Sequence, residues 1–266
     1  MTTSASDWTA DLDLLVGAAR LAGARALEFF RKEPEVWWKH GGRSPVSAAD
    51  FAANDILRKE LLAARPGYGW LSEETDDDAA RLDSETVFVI DPIDGTRAFI
   101  AGKDIWCVSA AVVHHGRPVA GVLFAPSLDE IFTAAQGGPA LKNGQPIAVT
   151  PLDAARPTCM AAPEDMAQGL QMTGGVHRIP HVPSLAYRLA MVADGRIDAT
   201  LVKRNAHDWD LAAADIILMR AGGALVTLDG EPLAYNRAVV SHETLAAAGL
   251  SRLSGLVEAA RNLAGH

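Results

Sequence analysis

A layered sandwich of helices and sheets, α/β or α+β in class, is what this 266-residue chain predicts. Three observations lead there. Amphipathic helical stretches open and close the chain, a meander of short strands fills its middle, and strands alternate with helices in its last third.

Leu12, Leu15, Ala19, Ala22, Ala26 and Phe29 recur at helical spacing, which predicts a helix from about Asp7 to Arg31, stopped by Pro34. Residues Val36 to Val46 contain Gly41, Gly42 and Pro45 and read as a short hairpin or loop. A second helix is expected to start at Ser47, with Ala53, Leu57 and Leu61 on one face, and to finish before Pro66-Gly67. Tyr68 to Ser72 and Val87 to Ile90 read as strands flanking an acidic loop, Thr75-Asp76-Asp77-Asp78. Ile105 to His114 and Pro118 to Ala125 are apolar runs joined by His115-Gly116-Arg117, a hairpin signal, and Asp129 to Ala134 extends the meander. Asn143-Gly144 marks a tight turn before a strand-like Ile147-Ala148-Val149. The strand-rich pattern ends near Pro151 to Pro157, so the expected domains are 1–152 and 153–266. Beyond lie a helix (Ser184 to Ala193), a strand (Arg196 to Val202), a long helix (Asp208 to Arg220) capped by Gly222-Gly223, a strand (Ala224 to Leu228) and a final helix from about Glu243 to Ala264.

Composition narrows the function classes. A net charge of −9, with no Lys/Arg run to outweigh it, argues against nucleic acid as the main partner. Cys107 and Cys159 are the only cysteines, which makes no disulfide framework or zinc pattern and suits a reducing cytoplasm; Cys107, inside an apolar run, reads as a core thiol. No apolar stretch approaches the roughly 20 residues that span a bilayer. The N-terminus lacks the basic and apolar regions of a signal peptide.

The chemistry concentrates in Asp91-Pro92-Ile93-Asp94-Gly95-Thr96. An apolar strand ends there on two carboxylates, a glycine and a hydroxyl, before a short helical stretch. One reading is an Asx-type turn, since Asp, Pro and Gly all favour turns. The other is a seat for a hard divalent cation with a phosphate beside it. Asp50, Glu73-Glu74 and Asp210 stand at comparable strand ends and helix starts, the usual placement of an α/β site. Each has a plainer alternative. Ser47-x-x-Asp50 is a capping-box pattern, Asp208 and Asp210 can complement a positive helix terminus, and the glutamates can belong to the acidic loop. Neither a Ser/His/Asp nor a Cys/His arrangement stands out, so Ser109 and the histidines read as structural or surface residues, with His207 near Asp210 a possible exception.

Leu71-Ser72-Glu73-Glu74, the Asp91 to Thr96 hexapeptide, Trp209-Asp210-Leu211-Ala212-Ala213, and Lys39 with Ser44 to Asp50 together resemble the signature motifs of the inositol monophosphatase superfamily, in order and in approximate spacing, over roughly Leu12 to Leu250. The resemblance implies a five-layer αβαβα sandwich of the inositol monophosphatase/fructose-1,6-bisphosphatase type. It also implies a magnesium-dependent, lithium-sensitive phosphomonoesterase, cytoplasmic and homodimeric, that hydrolyses a small phosphorylated substrate by metal-activated water. Glu73, Asp91 and the Ile93 carbonyl would hold one Mg2+, and Asp91, Asp94 and Asp210 a second, with Glu73 reaching a weaker third. Asp50 and Thr96 would orient or deprotonate the attacking water, with Glu73 also catalytic. The Gly95 and Thr96 N–H groups would bind phosphoryl oxygens, glycine being needed so that no Cβ hinders the phosphate.

Substrate choice leans on finer detail. Leu71-Ser72-Glu73-Glu74, Ala98 and Phe99 to Lys103 resemble the 3'(2'),5'-bisphosphate nucleotidase branch more than the inositol phosphatases. Lys203-Arg204 stands where inositol phosphatases tend to carry a glutamate, and would suit a second phosphate; Asp210 would also contact substrate. The expected reaction is adenosine 3',5'-bisphosphate to AMP and phosphate. Inositol-1-monophosphatase, histidinol-phosphate or sugar-phosphate phosphatase, and a non-catalytic regulatory binding protein on the same fold are the alternatives.

Overall fold

The computed structural model describes residues 5–39, 44–167, 169–172 and 174–264. Gly41-Gly42 and the Lys39 side chain lie outside the described residues.

The chain opens with α1 (Ala5–Leu27), an antiparallel hairpin of β1 (Val36–Lys39) and β2 (Ser44–Ser47), and α2 (Ala48–Ala64). A seven-stranded sheet follows, in sequential order: β3 (Gly69–Ser72), β4 (Thr86–Asp94), β5 (Cys107–His114), β6 (Arg117–Ala125), β7 (Glu130–Ala135), β8 (Leu141–Lys142) and β9 (Gln145–Pro146), with α3 (Thr96–Ile100) after β4. Only β3–β4 is parallel; the rest is the antiparallel meander that the short turns demand. Asn143 and Gly144 both have positive φ, 49° and 78°, the backbone of a two-residue hairpin turn.

The remaining elements are β10 (Thr158–Ala161), α4 (Glu164–Ala167), β11 (Val176–Arg178), α5 (Leu185–Ala193), β12 (Ala199–Val202), β13 (Ala206–His207), α6 (Asp208–Arg220), β14 (Gly223–Thr227), β15 (Ser241–His242), β16 (Leu245–Gly249) and α7 (Leu250–Ala264). Five of these strands form a second sheet in the order β11-β10-β12-β16-β14.

Alternation along the strands sets the layers. In β4, Phe88 and Ile90 face one way and pack with Leu15, Ala19, Leu57 and Leu61 of α1 and α2. Val87 and Val89 face the other way, toward Leu189 of α5 and Leu211 and Ile216 of α6. Both faces being buried explains why the strand reads as an unbroken apolar run. A Cβ on Gly121 of β6 would lie 2.6 Å from Ile216 and 2.9 Å from the Ala213 backbone, so this glycine lets α6 lie close on the sheet. Beyond α5 and α6 comes the second sheet, with Leu225 and Ala247 facing them. Ala246, Ala248 and Val226 face Leu256 and Ala260 of α7. The order is therefore αβαβα, as expected.

Three sequence expectations are corrected. The first helix ends at Leu27 rather than Arg31, because the chain turns there to pack Phe30 against Phe99 and Trp106. Residues 147–149 form no strand; Ile147 and Val149 instead donate to Ala140 and Ala221 carbonyls, binding this connection to the end of α6. Leu245–Gly249 is a strand, not the start of the final helix, and it sits between β12 and β14 with every residue buried. Its alanine-rich sequence favours a helix, but two antiparallel partners and a helical layer on each face override that propensity.

Candidate active site

Glu73 and Glu74 follow β3, where the Glu73 N–H continues the ladder by donating to the Ile90 carbonyl at 3.2 Å. Asn54 of α2, which the sequence did not single out, fixes this turn. It accepts from Ser72 Oγ at 2.7 Å and donates to Thr75 Oγ1 at 3.3 Å. Such a residue has no local signal, because it acts across 18 residues of chain.

At the end of β4 the pairing with β5 shifts register between Asp91 and Asp94, around Pro92, which has no N–H to donate. Asp91 Oδ1 accepts the Ile93 N–H at 2.9 Å, so the Asx turn does form, and it leaves the carboxylate among other acids. Gly95 has φ +96°, and a Cβ there would lie 3.2 Å from the Ile105 carbonyl and 3.3 Å from Ser184. Glycine is thus required by the left-handed backbone and the crowding behind it, a reason distinct from access of a phosphate.

Asp50 forms the capping box and also reaches Thr96. Its Oδ2 accepts the Ser47 N–H at 2.8 Å and Oγ–H at 2.6 Å in a capping box, while Oδ1 accepts from Thr96 Oγ1 at 3.1 Å. Thr96 Oγ1 also lies 3.0 Å from the Ile93 carbonyl. Asp210 Oδ2 accepts the His207 N–H at 2.7 Å at the start of α6, and the His207 ring stacks on Trp209 at 4.7 Å. Asp208 points the other way and is fully buried, accepting from Asn236 N–H and meeting His242 Nε2 at 2.7 Å. Ser109 donates to the Trp209 carbonyl, tying β5 to α6.

Carboxylate oxygens of Glu73, Asp91 and Asp210 lie within 4.8 Å of one another. They line a cleft of about 390 Å³ together with Asp94, Gly95 and Thr96. Asp94 is turned toward α5, where its Oδ2 accepts from Ser184 Oγ–H at 2.5 Å and Ala186 N–H at 2.6 Å. Ser184, the N-cap of α5, is a second site residue that motif reading missed. Lys203 and Arg204 do not line this cleft. They line a larger one of about 870 Å³, whose wall at His181 and Pro183 is shared with the acidic cleft.

Burial pushes the Asp91 carboxyl well above the ordinary range, helped by the charges of Glu73, Asp94 and Asp210. Burial, then Asp94 and Glu73, do the same to Asp210. Burial also raises Asp94 and Asp50, opposed by the hydrogen bonds from Ser184 and Ser47. Several carboxylates held this close, offering only hard oxygen donors, fit a multivalent hard cation that offsets their repulsion.

A model of the inositol monophosphatase family matches residues 7–263. The chain is 32% identical, over 82% of its length and 86% of the relative, to an inositol-1-monophosphatase of Mesorhizobium japonicum. It is 35% identical, over 71% of its length and 72% of the relative, to a 3'-phosphoadenosine 5'-phosphate phosphatase of Mycobacterium bovis. Among solved structures, the extragenic suppressor protein suhB of Bartonella henselae superposes with a TM-score of 0.82 at 29% identity, covering 95% of this chain and 98% of that one.

Proposed function

The chain belongs to the inositol monophosphatase family of phosphoric monoester hydrolases, and from that premise we propose a Mg2+-dependent phosphatase whose centre is Glu73, Asp91, Asp94, Asp210 and the Ile93 carbonyl. The observation that carries the metal assignment is the convergence of Glu73, Asp91 and Asp210 within 4.8 Å from three separate elements. Bound there, two or three Mg2+ ions would supply a nucleophile from water at neutral pH and offset the charge of the phosphoryl and leaving oxygens.

The chain's own groups do the rest. By donating to Asp50 Oδ1, the Thr96 hydroxyl leaves its lone pairs to accept from, and so orient, the attacking water. Burial makes Asp50 a better proton acceptor, and Ser47 fixes its rotamer, which suits a general-base relay through Thr96. The Gly95-Thr96 backbone, which lines the cleft, is the proposed seat of the phosphoryl oxygens. Residues 1–152 would thus carry most of the centre, and 153–266 would supply Asp210 and the neighbouring cleft.

For substrate we favour adenosine 3',5'-bisphosphate, supported by the Leu71 to Glu74 and Phe99 to Lys103 segments and by the basic residues of the adjoining cleft. Inositol 1-phosphate is the second reading, supported by the Mesorhizobium japonicum relative. Phosphate release from both compounds is to be measured with Mg2+, with a chelator, and with Asp94→Asn. Chelation and the substitution are each expected to abolish release; activity indifferent to both would sink the metal mechanism.

A further inference from the structure

The glutamate turn after β3 and the start of α6 both line a cleft of about 750 Å³, through Glu73 and Asp77 from the first and His207, Trp209 and Asp210 from the second. Arg81, in a short 3-10 helix at Ala79–Asp83, joins the two segments and is only 3% exposed. Toward the turn, its Nε and Nη2 donate to the two oxygens of Asp77 at 2.5 and 2.8 Å. Away from it, Nη1 donates to Asn236 Oδ1 at 2.7 Å and Nη2 to the Arg237 carbonyl at 3.1 Å. Asn236 Nδ2 donates back to the Arg81 carbonyl at 3.1 Å. The Asn236 N–H continues the chain to Asp208 Oδ2 at 2.8 Å, and Asp208 is the fully buried first residue of α6, two before Asp210. His242 Nε2 lies 2.7 Å from the other Asp208 oxygen, and the Asp208 N–H donates to the Val240 carbonyl at 2.9 Å, so the helix start is locked to the same segment.

Arginine and aspartate are almost never fully buried unless paired, as Arg81 and Asp208 are here, and such pairing does little more than offset the lost hydration. What the network supplies is geometry, because a planar fork satisfied on both sides holds its neighbours in one arrangement. We propose that Arg81 is a positioning residue: by tying Asp77 to Asn236, and so to Asp208, it sets the separation of Glu73 from Asp210. The proposal rests on the phosphatase reading, in which those two carboxylates hold Mg2+, and deepens it. Mg2+ demands near-ideal octahedral geometry at about 2.0–2.1 Å, whereas Ca2+ accepts irregular ligand sets at longer distances. The clasp therefore favours the smaller ion.

The test removes the clasp at either end. Arg81→Met deletes the fork, and Asn236→Gly deletes its acceptor while keeping the left-handed backbone that Asn236 adopts at φ 55°. Either variant alone suffices should the other not fold. Calorimetry on substrate-free protein measures Mg2+ and Ca2+ binding. Each variant is expected to bind Mg2+ about tenfold or more weakly, with Ca2+ affinity changed less than about threefold, and Arg81→Lys to recover part of the loss. The double variant is expected to be no worse than the weaker single one, since both substitutions cut one path. Arg156→Gln breaks a two-point pair with Asp198 that lines neither acidic cleft, and is expected to leave both ions unchanged. Unchanged Mg2+ affinity, equal loss for both ions, a summed loss in the double variant, or the same loss in Arg156→Gln overturns the proposal. Hydrogen exchange of the metal-free protein gives a reading free of ions. Exchange about tenfold faster is expected in both clasp variants at residues 72–77 and 206–210, and no change there overturns the clasp whatever ions bind. Wild type that binds no Mg2+, with that exchange difference intact, would instead count against the phosphatase reading alone.

Discussion

Asp91→Asn separates what the acidic cluster does for stability from what it does for function. Asparagine keeps an oxygen for the Ile93 N–H and removes one negative charge from beside Glu73 and Asp210. Two ionised carboxylates at the 4.8 Å outer limit of this cluster repel by about 3.5 kcal/mol at an effective dielectric of about 20. Protonation of one member relieves part of this, so the expected gain for metal-free protein at neutral pH is about 2 kcal/mol, or a Tm rise of about 4–8 °C. The sign follows from the raised carboxyl: folding retains a proton that the unfolded chain releases near 3.8, so metal-free stability falls as pH rises from there through the higher folded value. The gain of Asp91→Asn is therefore present at neutral pH and vanishes in acid. On the proposed metal reading, saturating Mg2+ is expected to reverse the order, since a ligand at 100 times its Kd would stabilise wild type by about 2.7 kcal/mol and the variant far less. Thermal scans with chelator and with Mg2+, at pH 4 and pH 7.5, measure all four states. A metal-free variant less stable than wild type at pH 7.5, or an equal Mg2+ shift in both proteins, refutes the reasoning.

Two further outcomes are expected. Asp215, half-buried and accepting from the Tyr235 hydroxyl at 2.8 Å, has its carboxyl raised to about 6 by desolvation, so its ionisation costs stability as pH climbs from about 4 to about 6. Asp215→Asn is expected to flatten that part of the denaturation profile, by about 3 kcal/mol at neutral pH, and an unchanged profile refutes it. Gly95→Ala is expected to destabilise by about 1–3 kcal/mol and to lower kcat, because the positive φ and the contacts with Ile105 and Ser184 leave no room for a methyl without moving Asp94 and Thr96; denaturant titration beside a rate assay checks both.

What could be read directly was what local physics decides. The Asx turn at Asp91, the capping box of Ser47 and Asp50 and the helix start at Asp210 each depend on a few adjacent residues, whereas the left-handed backbone that requires Gly95 emerged only from the structure. The β5–β6 pair was legible for the same reason, since its turn is short, and so was the turn at Asn143-Gly144, although the strand expected after it at 147–149 does not form. Motif order then pointed to the acids that meet at the centre, although meeting is not itself a local property.

The strand Leu245–Gly249 shows where that reach ends. Leu-Ala-Ala-Ala-Gly carries no extended pattern, and only flanking strands and two helical layers, distant in sequence, make it the middle of a sheet. Lys203 and Arg204 were visible as charges, but their separation from the acidic cleft depends on the direction in which the chain leaves β12. Ser184 turning Asp94 toward α5, Asn54 holding the glutamate turn and Arg81 joining Asp77 to Asn236 are products of packing across tens of residues. The sequence by itself determined the types of groups in the candidate site and their immediate backbone setting, because short-range dihedral and hydrogen-bond preferences suffice for those. Tertiary structure alone decided which groups share a cleft and which charges are stripped of water, because burial is a property of the whole packed chain.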